Sequence, residues 1–256
     1  MAVDVVVVNY HTPDLLLDFI NSYHWARFEG CTLTVVDVDT GAGNSVAVEE
    51  RDMVTIGVHD NIGYARACNQ GALNGENDVI LLANADTLLK PGGLKECHDA
   101  LISVDDWGVL GPRQVGRHNQ ITAGGIFGTD TNIGQRGWNE PDNGQYSDIR
   151  DDAKSVSGSL YFIKRKLWEE LTNCPSYQEF TGGAQGAFLP TNFYYEETAC
   201  SYHARAHGYK IVYYGPVQMI HYWHQSHPHG DWADMQAESS KQMMRAFCRA
   251  HGIVCE

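Results

Sequence analysis

The feature that most limits the folds open to this chain is a series of short, almost wholly apolar runs separated by segments of helical periodicity. "VDVVVVNY" (3–10), "CTLTVVDV" (31–38), "MVTIGVHD" (53–60) and "DVILLANAD" (78–86) read as strands. Near-continuous apolarity, rather than strict alternation, is what burial on both faces of a sheet demands. After the first run, Thr12 and Pro13 form a cap and a first helical position, and Leu15, Leu16, Phe19, Ile20 and Tyr23 then fall on one helical face. "GYARACNQGALNG" (63–75) reads as another helix. Strands alternating with helices at this spacing predict an α/β, doubly wound, mostly parallel central sheet flanked by helices.

Ligands on such sheets gather at the carboxyl ends of the strands. That rule singles out Asn9 and Tyr10, Asp37 and Asp39, Asp60 and Asn61, and Asn84 and Asp86, each pair lying where a strand runs out. Asn and Asp also form turns and cap helices, which is the plainer use of any one pair. Four polar strand ends on one rim are harder to explain as four separate turns.

The second half reads differently. From Val115 to Lys154 the chain is rich in Gly, Asn, Asp and Gln without sustained periodicity, which predicts a long mobile or ligand-covering segment rather than regular structure. "VSGSLYFIKRKLWEEL" (156–171) reads as strand into helix, and "FTGGAQGAF" (180–188) as another flexible loop. A helix follows from about Glu197 to His207, then a strand "KIVYY", and the 231–250 segment forms a helix with Trp232, Met235, Met243 and Phe247 partly on one face, for packing. The expected organisation is a first half, 1–114, a second half with flexible loops, 115–230, and a C-terminal helix, 231–256, packed on the domain.

A formal charge of −14 argues against a broad nucleic-acid surface, which normally leaves a basic footprint. The longest apolar runs, such as Val5 to Val8, are too short to span a bilayer, and no basic segment precedes an apolar core and cleavage site, so the chain reads as cytoplasmic and soluble. Seven cysteines at scattered spacings, with no CxxC pair to suggest zinc or a redox couple, fit free thiols.

The segments "VVVVNYHTPDLL", "VVDVDTGAGNS", "NIGYARACNQG", "LLANADTLLKPGGL", "VSGSLYFIKRKLWEEL", "FYYEETACSYHARAHGYKIVYYGP" and "IHYWHQS" together, in this order, resemble a family 2 glycosyltransferase of the GT-A fold, especially the rhamnosyltransferase-like group, from about residue 3 to about residue 226. The resemblance implies a nucleotide-sugar-binding half over 1–114 and an acceptor-side half over 115–230. It also implies a metal-dependent inverting transfer of a hexosyl or deoxyhexosyl group from a UDP, TDP or GDP sugar to a hydroxyl acceptor: a glycan, glycolipid, protein or modified nucleic acid.

The roles it implies fall on particular residues. A DxD-type motif that binds a divalent cation on the donor diphosphate reads here Asn84-Ala85-Asp86. Oxygen ligands suit Mg²⁺ or Mn²⁺, and a further ligand after a late strand, His221, tilts the choice toward Mn²⁺. Taken alone, His221 reads sooner as a structural histidine with one backbone bond. His224, His227 and His229 nearby lack the HExxH spacing of a catalytic zinc helix. The backbone at Val8 and Asn9, the Asp37 carboxylate and the turn from Asn61 through Gly63 to Arg66 would hold base and ribose. Asp37 as a turn former, Arg66 as a solvated helix residue and Asn69 as a helix-to-loop staple are the alternatives.

The general base of the inverting family belongs to an acidic pair opening a helix, here Glu196-Glu197, which makes Glu197 the candidate. Two acidic residues there would favour the helix dipole in any case. The family's following Asp and Arg are replaced by Ala199 and His203. Ser157, Gly158 and Ser159 fall where the family lines the pocket between donor and acceptor, and Tyr194, Tyr195, Tyr222 and Trp223 flank the acceptor side, unless they pack in the core. A nucleotidyltransferase would want a Gly-rich basic loop after the first strand, and "NYHTPDLL" offers none. The altered Ala199 and His203 keep open a nucleotide-sugar- or glycan-binding protein that has lost catalysis.

Overall fold

β1 (Val3–Asn9) lies between β4 (Val79–Asn84) and β2 (Thr32–Val38), parallel to both, with all of its residues buried. Its unbroken valine run is what a strand covered on both faces requires. This computed structural model describes residues 1–40, 53–129, 132–223 and 231–254, with the side chains of Asn132, Asp231 and Trp232 outside that set. His224, His227 and His229 also lie outside the described residues.

β3 (Met53–Val58) extends the sheet parallel to β2. On the far side of β4, β11 (Leu160–Lys164) runs antiparallel; beyond it come β6 (Trp107–Val115) and β12 (Lys210–His221), parallel to each other, and the antiparallel β10 (Ile149–Ala153). Among the described residues the order is β3-β2-β1-β4-β11-β6-β12-β10. Because β11 opposes both β4 and β6, the strands β1, β2, β4, β6 and β12 all point one way, and their carboxyl ends share one rim. The two-residue β5 (Thr87–Leu88) pairs with the end of β12 on that rim, setting Thr87 opposite His221.

The segment expected to be irregular, Val115 to Lys154, holds β7 (Ile121–Ala123) on β6, a hairpin of β8 (Ile126–Thr129) and β9 (Asn132–Gln135), and β10. Strands this short carry no sustained alternation, and β10 takes its partner, β12, from far along the chain, so local periodicity cannot reveal them.

α1 (Pro13–Ala26) and α3 (Gly93–Ile102) cover one face of the sheet, burying Leu16, Phe19, Ile20, Leu94 and Leu101 against β1, β2 and β4. Pro13 opens α1 as expected, but Thr12 does not cap it: its hydroxyl and its N–H both donate to Asn9 Oδ1, at 3.0 and 3.3 Å. α2 (Tyr64–Gly71), α4 (Arg165–Thr172) and α6 (Glu196–Ala206) cover the other face. A third cluster joins α5 (Pro175–Thr181), α6 and α7 (Asp231–Ala250) through Tyr177, Tyr202, Met244 and Phe247.

The 180–188 segment is anchored rather than loose. Asn69 acts as the staple, donating to the Phe188 carbonyl at 2.8 Å and accepting from its N–H at 3.1 Å, while the Phe188 ring packs on Tyr161 and Trp168. The described cysteines are all free, and no helix among the described residues is long and apolar enough to cross a membrane.

Candidate active site at the carboxyl rim

The rim begins with a locked pair. Asn9 and Asp37 sit opposite each other at the ends of β1 and β2, and the Asn9 amide donates to Asp37 Oδ1 at 2.8 Å. The Asn9 carbonyl oxygen is taken by Thr12, so both side chains are held in place before any ligand arrives. Val8 pairs across to Asn84 on β4, joining this pair to the next strand end.

Just past β4 the chain turns at Asn84-Ala85-Asp86 into β5. Thr87 holds the turn through a hydroxyl bond to the Asn84 carbonyl at 2.8 Å, and the Tyr222 N–H donates to the Asp86 carbonyl at 2.8 Å. Asp86 does not project into solvent: it is 3% exposed, and its Oδ1 lies 3.5 Å from Nε2 of His221, itself 5% exposed. That separation is longer than a good hydrogen bond. The other ring nitrogen of His221, Nδ1, is buried with no hydrogen-bond partner among the described residues. A carboxylate oxygen and an imidazole nitrogen facing each other in this way fit a shared divalent cation, and the mixed donor set favours Mn²⁺.

The next wall comes from a different part of the chain. The Asn84 N–H donates to the Ser159 carbonyl at 3.0 Å; Ser159 Oγ bonds Ser157 Oγ at 2.8 Å and donates to Gln114 Oε1 at 2.6 Å. Gly158 faces the start of α6 closely enough that an added Cβ would lie 3.3 Å from Cβ and Cγ of Glu197. The Tyr64 hydroxyl, at the start of α2, donates to the Gly158 carbonyl at 2.7 Å. Asn84, Ser159, Gly158 and Glu197 are therefore linked without a break.

Glu196 and Glu197 open α6 behind two consecutive left-handed residues, Tyr194 (φ 63°) and Tyr195 (φ 69°). Non-glycine residues held there cost about 1–2 kcal/mol each, and such strain gathers at functional sites. Glu196 is 5% exposed; burial, then the neighbouring Glu197 charge, pushes its pKa up to about 8. Burial raises Glu197 as well, with hydrogen bonds from backbone N–H groups, Thr198 and Glu196 working against the rise. Glu197 Oε2 is buried without a hydrogen-bond partner among the described residues.

Other expected residues are placed less centrally. Gly63, at φ 79°, has the Asn192 carbonyl as its close neighbour, 3.3 Å from an added Cβ, and its N–H is held by Asn61 Oδ1 at 3.0 Å. Arg66 is exposed and reaches Ile62 and Asn192 only at 3.5 Å. Tyr195 packs with the Tyr177, Met244 and Phe247 cluster rather than over the rim. Trp223 is half-exposed, edge-on to Trp138 with ring centroids 4.5 Å apart. Ala199 is buried in the same cluster as α7, which accounts for an apolar residue where the family pattern has a carboxylate.

Tyr64 and Gln114 were not singled out by any motif, nor was a cavity of about 610 Å³ beside Tyr222 lined by Asp18, Lys90, Arg117, Asn119 and Gln218. The cavity residues come from α1, the segment after β5, the segment after β6 and β12, which the pairing of β6 with β12 and of β5 with β12 draws together.

No protein-family model and no curated protein sequence matches the chain. Solved structures do. The 1–349 piece of S. aureus TarS superposes with a TM-score of 0.58 at 13% identity, over 86% of this chain and 60% of that one. GalNAc-T7, crystallised with UDP, GalNAc and Mn²⁺, gives 0.61 at 13%, over 100% of this chain and 55% of that one. The mannosyltransferase PcManGT of Pyrobaculum calidifontis, with GDP-Man and Mn²⁺, gives 0.58 at 14%, over 95% and 63%. The chain thus spans less than two thirds of each of these proteins. The fold is that of the GT-A glycosyltransferases, a mostly parallel central sheet flanked by helices.

Proposed function

We propose that the chain is a metal-dependent inverting glycosyltransferase of the family 2, rhamnosyltransferase-like kind, moving a hexosyl or deoxyhexosyl group from a UDP, TDP or GDP sugar to a hydroxyl acceptor. The observation that carries this reading is the buried Asp86–His221 pair, 3.5 Å apart where β4 and β12 end on one rim of a GT-A fold. Asp86 and His221, with Asn84 beside them, would hold Mn²⁺ or Mg²⁺, which when bound supplies Lewis-acid stabilisation to the departing diphosphate. The Mn²⁺ in two fold neighbours, accompanied by UDP and GalNAc in one and by GDP-Man in the other, supports the same assignment.

The chain's own residues supply the rest. Asn9 and Asp37, held by each other, orient base and ribose, with the Asn61–Arg66 turn closing beside them. Gly158, having no side chain, lets Glu197 come close to the wall between donor and acceptor. Glu197 takes the proton of the acceptor hydroxyl at its unpartnered Oε2 as that oxygen attacks the anomeric carbon. A raised carboxylate is better matched to this step near neutral pH than an ordinary one. Glu196, holding its proton, keeps a second negative charge out of the pocket.

The test is to incubate the protein with UDP-, TDP- and GDP-sugars plus Mn²⁺, with and without pooled glycan and glycolipid acceptors, and to measure nucleoside diphosphate release. One donor class releasing its diphosphate only with Mn²⁺, and giving a product of inverted anomeric configuration, is the expected result. Binding of a donor with no release on any acceptor would favour the binding-protein reading instead.

A further inference from the structure

α6 carries His203 and His207 four residues apart, so both rings leave one helix face. Further along α6 than the acidic pair at its start, these rings meet two other elements. Cys174 sits just before α5, and His251 just past the end of α7. The Cys174 Sγ and one ring nitrogen each of His203 and His251 all lie within 4.8 Å of one another.

The hydrogen bonding around these groups is incomplete in a directed way. His203 is 2% exposed, and neither of its ring nitrogens has a hydrogen-bond partner among the described residues. Burying an imidazole with both nitrogens unused is costly and calls for a missing partner. His251 donates Nδ1–H to the Phe247 carbonyl at 2.8 Å, leaving Nε2 as the lone-pair nitrogen, and that Nε2 is buried without a partner among the described residues. Fixing one ring nitrogen on a carbonyl so that the other can ligate is how metal-binding histidines are usually oriented. His207 links the cluster outward, bonding both the Cys174 thiol and Glu170, the latter at 2.8 Å. Aromatic rings enclose it: Tyr177 stacks on His203 at 5.7 Å, and Phe247 meets His203 at 5.2 Å.

We propose that Cys174, His203 and His251 bind a zinc ion, with His207 and Glu170 holding the cysteine sulfur from outside. A thiolate with two imidazoles is a softer donor set than the carboxylate rim and selects zinc over magnesium or calcium. Ligand atoms around one zinc lie about 2.0–2.3 Å from the metal, so closing the cluster takes only small side-chain movements. Binding converts the Cys174 thiol to thiolate and releases its proton to solvent. His203 already offers a free lone pair: burial, then the His207 and His251 rings, push its pKa down to about 3. The ion would tie α5, α6 and the end of α7 together and fix the helix that bears Glu196 and Glu197. It would also explain why His203 stands where the family pattern has Arg.

The test uses the full chain, stripped of metal and then titrated with Zn²⁺ against a chromophoric chelator, with Co²⁺ as a spectroscopic substitute. One Zn²⁺ should bind per chain at this site, and Co²⁺ should give a thiolate-to-cobalt charge-transfer band in the near ultraviolet. Cys174→Ser should abolish that band, and His251→Gln should weaken zinc binding about tenfold or more. Asp86→Ala should leave the band unchanged, which separates this site from the rim. Circular dichroism checks that each variant is folded. Folded protein with no charge-transfer band, or a band that survives Cys174→Ser, overturns the proposal; so does zinc affinity unaltered in the Cys174→Ser, His251→Gln double variant.

Discussion

Both ends of the central sheet bury carboxylates, and they treat them in opposite ways. At the amino end, Asp4 of β1 accepts from the Thr32 hydroxyl at 2.6 Å, the Asn77 backbone and side-chain amides at 2.8 and 2.7 Å, and the Arg165 guanidinium at 2.7 Å. At the carboxyl end, Asp86 faces an imidazole at 3.5 Å, and Glu197 Oε2 is buried with no hydrogen-bond partner among the described residues. In a low-dielectric interior, a carboxylate ringed by donors is a fixed strut, whereas a buried carboxylate oxygen with no donor favours a proton or a cation. The contrast sets a fixed polar anchor at one end of the strands against the candidate site at the other.

The largest effect should come from the carboxyl end. Glu197→Gln is expected to lower transfer by roughly 10²–10⁴-fold, the usual worth of a general base, while nucleotide-induced thermal stabilisation persists. Normal turnover by this variant would remove Glu197 from the mechanism. At the opposite end, Asp4→Ala should lower unfolding free energy by about 1–3 kcal/mol, because the Thr32 hydroxyl and the Asn77 amides lose their acceptor while the part-buried Arg165 keeps only the Asn77 and Ala72 carbonyls. Denaturant titration measures the loss, and nucleotide affinity below the melting transition should be unchanged; a matching loss of affinity would blur the division between the two ends.

A smaller effect concerns pH. Folding raises the Glu196 pKa to about 8 from its ordinary value near 4.5. The folded state therefore binds more protons between these values, and Glu196's contribution to stability is full below about pH 4.3 and is lost as pH rises through about 8. Melting temperatures of the wild type should fall relative to Glu196→Gln across that window; parallel curves would contradict the assignment. The smallest change is expected from Tyr64→Phe, which removes the hydroxyl bond to the Gly158 carbonyl and should cost about 1 kcal/mol by chemical denaturation. A loss several times larger would mean that Tyr64 supports more than this one wall of the pocket.

Parallel strands buried on both faces write themselves into the chain as apolar runs, so β1 to β4 and the polar residues at their ends were legible from local pattern alone. Asn69 as a staple was legible for the same reason, since its amide serves backbone near a helix end. The second half depends on partners distant in sequence. β10 is defined by β12, and the Asp86–His221 approach by the pairing of β5 with β12, so only family resemblance pointed to His221. Scattered cysteine spacing likewise concealed Cys174, whose neighbours His203 and His251 arrive on separate helices. Ala199 shows the converse: a departure that looked like lost chemistry is a packing site for α7.

The most direct test of the central claim is calorimetric titration of UDP, TDP and GDP into the wild type and Asp86→Ala, each with and without Mn²⁺. The account predicts that one nucleoside diphosphate binds the wild type, and that this binding is lost both without Mn²⁺ and in Asp86→Ala. Binding indifferent to the cation and to Asp86, or no binding by folded protein, would contradict it.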